Sequence, residues 1–162
     1  MRSCVATHTE CNSEQRWMRE ALAQARAAQD GGEVPIGAVV VRDGEIIGRG
    51  QNSVITAHDP TAHAEILALR EAAKHVGNYR LSECEMYATL EPCAMCAGAL
   101  VHARVAKLVY ASTDPKAGAA GSVLNVINHE ALNHRIEVVS GILAEESSEL
   151  LQNFFRAWRK KS

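Results

Sequence analysis

Two cysteines three residues apart, Cys93 and Cys96, follow a proline in the stretch LEPCAMCAGAL. We expect Pro92 to occupy the first position of a helix, where its missing N–H costs nothing. Both sulfurs then lie on one face of that helix, and the positive end of the helix dipole favours thiolate over thiol. Such a pair suits either thiol–disulfide exchange or half of a metal site, and the pair alone does not distinguish them.

A histidine upstream favours the metal site. His63 stands in the sequence HAE, which opens a second predicted helix, so that its side chain can point into the same cleft. One nitrogen and two sulfurs are ligands that zinc prefers, and three protein ligands leave the fourth tetrahedral position open, as in catalytic zinc sites. The sequence therefore predicts one Zn²⁺ per chain, held by His63, Cys93 and Cys96, where zinc lowers the pKa of a bound water towards ~7.

Glu65 follows His63 by two residues. On a regular helix it lies about 200° around the axis from His63, so the two side chains are poorly placed to bind one ion together. A long carboxylate at the mouth of a helix can instead reach a water near the metal and move its protons. We therefore predict that Glu65 is the general acid–base group.

The composition limits the class of protein. A chain of 162 residues has the size of one domain, and we expect a flexible leader at 1–12 followed by a single domain at 13–160. The net charge is −2, so that contact with RNA would need a local basic patch. The odd count of five cysteines argues against a disulfide framework. Without an apolar run near the ~18 residues of a membrane span or the hydrophobic segment of a signal peptide, we expect a cytoplasmic protein.

Hydrophobic periodicity predicts an alternation of helices and strands. The predicted strands lie in PIGAVVVRDGEIIGRGQN, a hairpin that turns at Asp43-Gly44, and then in EMYATL, AKLVYAS and RIEVVSGI. Four helices are predicted. The first spans residues 13–29, the second is capped by Thr61 and ended by Gly77, the third runs from Pro92 to about residue 102, and the fourth spans residues 144–161. The single helix between the third and fourth strands predicts a parallel crossover. Together these elements predict a three-layer α/β/α fold with a mixed five-stranded sheet.

HxE followed by PCxxC is the signature of zinc nucleobase deaminases. The chain resembles the cytidine/deoxycytidylate deaminase superfamily and, within it, the bacterial tRNA-specific adenosine deaminases. The second resemblance rests on blocks that cover about residues 13–159 in the same order: EVPIGAVVV, HDPTAHAEILALR, NYRL, TLEPCAMCAGALVHAR, KAGAAGS, NHRIEV and FFR. It implies a cytidine-deaminase-like fold and a homodimer that acts on the tRNA anticodon stem-loop, with no DNA as natural substrate.

The resemblance also assigns roles to residues. It implies that His63, Cys93 and Cys96 bind zinc and that Glu65 moves the protons while a hydroxide attacks C6 of adenine, leaving inosine at the wobble position. The expected RNA is the arginine tRNA with the ACG anticodon. The remaining residues implied to contact the nucleoside, its base or the anticodon loop are Asn52, Ile36, Leu90, Asp114, Lys116, Phe154 and Arg156. Thr113 departs from the family, which has a basic residue there.

Two other functions fit the same residues. The zinc chemistry also suits a deaminase of a free base, nucleoside or nucleotide such as cytosine, guanine or deoxycytidylate, which would need a more closed pocket. A purely structural zinc in an RNA-binding module would need a fourth protein ligand, and neither His129 nor His134 has the spacing for it. On the sequence alone, Phe154 fits the core better than a stacking surface, and Ile36 and Leu90 fit the core as well as a pocket wall.

Overall fold

A hairpin and three parallel strands form the central sheet of the part of the chain that the structure describes, residues 7–161 of a computed structural model. The helices are α1 (His8–Asp30), α2 (Ala64–Val76), α3 (Ala94–His102) and α4 (Ala144–Lys161), and the strands are β1 (Gly37–Arg42), β2 (Glu45–Gln51), β3 (Glu85–Leu90), β4 (Lys107–Ser112) and β5 (Glu137–Ser140). The sheet order is β2-β1-β3-β4-β5. Strand β1 is antiparallel to β2 and β3, whereas β3, β4 and β5 run parallel. The mixed sheet and the parallel crossover are confirmed.

Helices cover both faces of this sheet. Val39 and Tyr87 pack against α1 on one face, where Leu150 of α4 also contacts the cluster. Their strand neighbours Ala38 and Met86 point to the other face and pack against α2 and α3, as the period of two along a strand requires. The predicted three-layer arrangement is therefore confirmed. Within residues 7–161, no helix combines the length and the apolar character needed to cross a membrane.

The first helix begins earlier than predicted. Helix α1 begins at His8, five residues before the predicted Ser13, and the Thr7 backbone N–H donates to the Glu10 carboxylate at 3.3 Å. This Thr-x-x-Glu capping interaction satisfies an N–H that has no partner within the helix. Residues 8–12, which were predicted to belong to a flexible leader, are thus helical. Residues 1–6 lie outside the described part.

The two helices that carry the motif begin later than predicted. His63 occupies the N-cap of α2, with φ −74° and ψ 152°, and Cys93 occupies the N-cap of α3, with φ −73° and ψ 177°. The predictions that Thr61 caps α2 and that Pro92 opens α3 were therefore wrong. Thr61 instead donates from its hydroxyl to Asp59 at 2.7 Å in the preceding loop. Neither His63 nor Cys93 caps its own helix through its side chain, so that both side chains can serve as ligands.

Helix α2 lies unusually close to strand β2, because two glycines face it. Gly48 and Gly50 of β2 are buried, and a Cβ at Gly50 would collide with the backbone of α2 at Ala64 and Ala68. This close approach fixes the start of α2 against the sheet. The segment that carries His63 and Glu65 is thereby fixed as well.

A methyl group at Gly50 should therefore destabilise the fold. We expect Gly50→Ala to lower the free energy of unfolding by about 1–3 kcal/mol, the usual cost of overpacking a well-packed interior. Chemical denaturation measures this loss. Gly98→Ala is the matched control, because nothing lies within 4 Å of a Cβ at that position in α3, and alanine favours a helix over glycine. An equal loss of stability in both variants would contradict the role of the Gly50 contact.

Candidate metal centre and catalytic pocket

The three predicted ligands converge. Nδ1 of His63 lies 3.6 Å from Sγ of Cys93 and 3.5 Å from Sγ of Cys96, and all three ligand atoms lie within 4.8 Å of one another. A tetrahedral zinc ion with Zn–S distances of about 2.3 Å and a Zn–N distance of about 2.0 Å would hold such atoms about 3.5 Å apart. The donor set and its dimensions therefore fit zinc, bound through the Nδ1 nitrogen.

No fourth protein ligand joins this triangle in the part of the chain that the structure describes. Nε2 of His134 lies 2.8 Å from the Val105 carbonyl oxygen, and Nδ1 of His129 accepts a hydrogen bond from the Ala131 N–H at 3.1 Å. Both histidines are thus engaged in local structure. Three ligands and one free position are the arrangement of a catalytic zinc site rather than a structural one.

The two sulfurs influence each other's ionisation. The Cys96 thiol donates to the Cys93 sulfur, and this bond, together with the Cys96 and Met95 amides and the His63 ring, lowers the pKa of Cys93 to about 5 against the opposing effect of burial. The same bond and burial raise the pKa of Cys96. These surroundings therefore favour the thiolate at Cys93, and a metal cation that binds both sulfurs displaces the proton that remains on the pair.

Glu65 shares a cavity with His63 and Cys93. Its side chain is only 4% exposed, and burial raises the pKa of its carboxyl group. The predicted separation of Glu65 and His63 around a helix does not apply, because His63 lies at the N-cap with an extended backbone. A buried carboxyl beside a metal triangle, with its pKa raised by burial, suits proton transfer.

The cavity lies where the ends of β1, β2, β3 and β4 meet, and it has a volume of about 350 Å³. This volume falls in the range of small-molecule sites. Its walls come from the segments that flank β1 and β2, from the end of β3 and from the loop after β4. The predicted site residues that line it are Ile36, Asn52, His63, Glu65, Leu90, Cys93 and Asp114. Asn52 is buried, and its backbone N–H donates to the Ile36 carbonyl at 3.0 Å.

A second groove shares part of this wall. It has a volume of about 500 Å³ and shares Ile36, Leu90 and Asp114 with the cavity. The predicted residue Lys116 lines this groove together with Phe155 of α4. The cavity therefore lies beside a surface groove that carries a lysine and the aromatic ring of Phe155, which is 45% exposed.

The other two predicted RNA contacts lie elsewhere. Phe154 is buried and packs edge-on against Phe155 at 5.4 Å, on the side of α4 that lines a separate cavity with Gln29 and Gly32. Arg156 is exposed and lines neither the cavity nor the groove. Phe155 was not identified as a site residue from the sequence, because it was interpreted together with Phe154 and Trp158 as a core aromatic; the structure leaves it 45% exposed.

Two buried carboxylates were also missed. Glu33 and Glu91 line the cavity and are 3% and 2% exposed. In the sequence each stands next to a motif that already had an interpretation, Glu33 in EVPIG and Glu91 in LEPC. The signal that could have identified them is an acidic residue placed between segments that were both predicted to be buried.

Comparison with known proteins agrees with this geometry. The chain matches the model of the MafB19-like deaminase family over residues 12–159. It is 50% identical over 145 residues to a tRNA-specific adenosine deaminase of Bacillus subtilis (strain 168), with 90% of each chain covered.

Solved structures of deaminases are also similar to this chain. A structure from studies of A-to-I editing by tRNA:A34 deaminases is 43% identical and has a TM-score of 0.81, over 84% of this chain and 99% of that chain. A guanine deaminase from Bacillus subtilis is 35% identical with a TM-score of 0.59, over 96% and 95% of the two chains. The predicted resemblance is confirmed, and the chain belongs to the MafB19-like deaminase family and, within it, to the tRNA-specific adenosine deaminases.

Proposed function

We propose that this protein is a zinc-dependent hydrolase that converts adenosine to inosine at the wobble position of a tRNA anticodon, in the cytoplasm. The observation that carries the proposal is the metal triangle of His63, Cys93 and Cys96 with the buried Glu65 carboxyl in the same cavity. The 50% identity with a tRNA-specific adenosine deaminase supports adenosine in tRNA as the substrate. The reaction adds water to adenosine and releases inosine and ammonia.

His63, Cys93 and Cys96 would hold zinc. When bound there, zinc acts as a Lewis acid that makes hydrolytic attack possible at neutral pH. Two thiolates balance the charge of the ion and the neutral imidazole adds none. The half-buried position of His63 and Cys93 at the cavity wall leaves the open side of the triangle facing the substrate.

Glu65 moves the protons. Hydrolysis of the amine at C6 requires that a proton leave the attacking water, that N1 of adenine gain one, and that the departing amine gain one. A single carboxyl whose burial raises its pKa can carry the first proton from the water to N1, and then carry the remaining proton of the new C6 hydroxyl to the departing amine. The removal of water from the cavity strengthens each of these contacts.

Asn52, Ile36 and Leu90 hold the nucleoside. A purine buried in the cavity would meet apolar side chains from Ile36 and Leu90 on its walls. Asn52 supplies an amide at the end of β2, the type of group that fixes orientation in such pockets. A base inside a stacked loop must first be flipped out to reach the cavity, which single-stranded anticodon loops allow at low cost.

The groove beside the cavity receives the flanking nucleotides. Asp114 and Lys116 lie on its loop side and Phe155 on its helix side, so that a lysine can meet phosphate and an aromatic ring can stack on a base. Phe154 supports this helix from its buried side, and Arg156 remains a proposed phosphate contact from the family resemblance. Thr113 lines the same groove and offers a hydroxyl where the family resemblance implies a basic residue.

Deamination of a free base is the second candidate, favoured by the likeness to a guanine deaminase. The groove that adjoins the cavity favours RNA instead, since a free base needs no such additional surface. We expect an anticodon stem-loop to be deaminated at least a hundredfold more efficiently than adenosine, guanine or cytosine, because remote contacts of the substrate are used for orientation in the transition state. Measurement of ammonia release on all four substrates tests this preference. Turnover of free guanine above that of the RNA would overturn it.

A homodimer is part of the same proposal. The family resemblance implies it, and an apolar groove between α2 and α3 supports it, with Ala73 half-buried there and Tyr79 67% exposed beside it. We expect Ala73→Arg to convert the dimer to a monomer in sedimentation velocity, because a buried guanidinium would find no partner. Ala23→Arg on the exposed side of α1 is the control and should remain dimeric. A wild-type protein that sediments as a monomer would contradict the proposal.

A further inference from the structure

Glu91 connects the cavity to the loop that follows β4. Its Oε1 accepts hydrogen bonds from the Asp114 N–H at 3.2 Å and from the Ser122 hydroxyl. Its Oε2 accepts from the N–H groups of Ala120 at 3.0 Å and Ser122 at 3.2 Å. One buried carboxylate therefore binds both ends of the segment 114–122, which we call the groove loop.

The groove loop depends on this carboxylate for its shape. Gly118 lies against it so closely that a Cβ there would overlap the carboxylate. The Ala119 N–H also donates to the Pro92 carbonyl at 2.8 Å, and the Asp114 carboxylate accepts from the Lys116 N–H at 3.0 Å. The loop is thus built around Glu91 and presents Asp114 and Lys116 to the groove.

Glu33 does the same for the opposite side of the cavity. Its Oε1 accepts from the Thr56 N–H at 2.7 Å and the Thr56 hydroxyl at 2.8 Å, and its Oε2 accepts from the Ile55 N–H at 3.3 Å. Burial raises the pKa of Glu33, but these bonds outweigh it and hold the pKa below its usual value. We call the segment 54–56 the opposite rim, since Val54 and Ile55 line the cavity.

We propose that Glu33 and Glu91 are positioning residues that hold the opposite rim and the groove loop open around the wobble nucleotide, an inference that rests on the proposed function. Each carboxylate acts only as an acceptor in these bonds and satisfies backbone N–H groups that would otherwise lack partners. The donors are not neighbours of Glu33 or Glu91 in sequence, so that the bonds act on loop conformation. The nucleotide then meets rims that are already ordered, which reduces the entropy cost of binding.

The test compares Glu91→Gln, Glu33→Gln and the control Glu85→Gln in the full-length zinc-loaded protein. Glutamine keeps the shape of the glutamate side chain but replaces one acceptor oxygen with an NH₂ donor. This donor must then face a backbone N–H, which is also a donor. Glu85, at the far end of β3 from the cavity, accepts a hydrogen bond from the Tyr87 hydroxyl at 2.6 Å and lines neither the cavity nor the groove. With an anticodon stem-loop as substrate, we expect KM to rise by about tenfold or more in the first two variants, with a far smaller change in kcat and unchanged zinc content. The control should keep the wild-type KM.

Hydrogen exchange provides a readout that needs no substrate. We expect faster amide exchange at 114–122 in Glu91→Gln only, and at 54–56 in Glu33→Gln only. Ser122→Ala, which removes one donor to Glu91, should shift KM in the same direction by less, even if Glu91→Gln fails to fold. Unchanged exchange in the corresponding loop, or a fall in kcat with constant KM, would overturn the inference. If the wild-type protein leaves the stem-loop untouched, the proposed function fails, whereas the exchange pattern still decides whether the carboxylates hold the rims.

Discussion

Replacing Glu65 with glutamine should lower kcat for inosine formation by roughly 10²–10⁴-fold, the range that a positioned general acid–base group contributes. The amide has nearly the same size as the carboxyl but cannot take a proton from water or deliver one to N1. Because Glu65 is not one of the three residues whose atoms form the metal triangle, the zinc content should stay at the wild-type value. Single-turnover formation of inosine, with zinc measured on the same sample, checks both parts.

Glu71→Gln is the matched control for this experiment. Glu71 lies on the same helix and is exposed, so that the same chemical change there should leave the rate unaltered. A Glu65 variant that retains the wild-type rate would show that protons move by another route. Loss of zinc from the Glu65 variant would instead indicate that Glu65 contributes to metal binding.

Replacing Cys96 with serine should remove most of the zinc and nearly all of the activity together. Cys96 is fully buried at the metal triangle, where a hard hydroxyl replaces the thiolate that zinc prefers. The loss of a ligand that binds only the folded state should also lower the melting temperature of the zinc-loaded protein, by mass action. Metal analysis, thermal denaturation and the inosine assay on one preparation measure the three effects.

Cys11→Ser provides the comparison, because Cys11 is a free, half-buried cysteine of α1. It should keep the zinc content, the melting temperature and the rate. A chelator should lower the activity of the wild-type protein and of Cys11→Ser, because both hold the metal. It should have little further effect on Cys96→Ser. A full complement of zinc in Cys96→Ser would show that the metal lies elsewhere.

The candidate metal cluster was predictable from the sequence because the residue types limit which ions and reactions suit it. A histidine, two cysteines and a glutamate at two predicted helix starts leave few metals and few reactions, and the structure brings three of these side chains within 4.8 Å. The strands were predictable for a similar reason, since β-rich runs such as EMYATL match β3.

The helix starts could not be placed with the same accuracy. His63 and Cys93 lie at N-cap positions rather than at the predicted helix positions, because packing against the sheet and the metal geometry decide where each helix begins. Local propensity alone favoured Thr61 and Pro92. The early start of α1 at His8 is different, because the Thr7–Glu10 capping pattern is present in the sequence and could have indicated it.

The roles of Glu33, Glu91 and Phe155 required coordinates. Glu91 bonds to residues 23 to 31 positions away, and Glu33 to residues 22 and 23 positions away. Contacts of this length leave no periodic pattern in a sequence. Phe155 differs from the buried Phe154 only by one step of helix rotation, about 100°, and this step decides which ring faces the groove.

The most direct measurement is the formation of inosine on a stem-loop with an ACG anticodon, made together with the zinc content of the same preparation. We predict inosine at the wobble position, with about one zinc per chain, as a site with three protein ligands and one open position requires. A preparation that contains zinc, deaminates a free base and leaves the RNA untouched would contradict the assigned substrate. A preparation without zinc, in which Cys93 and Cys96 form a reversible disulfide, would contradict the metal-dependent chemistry itself.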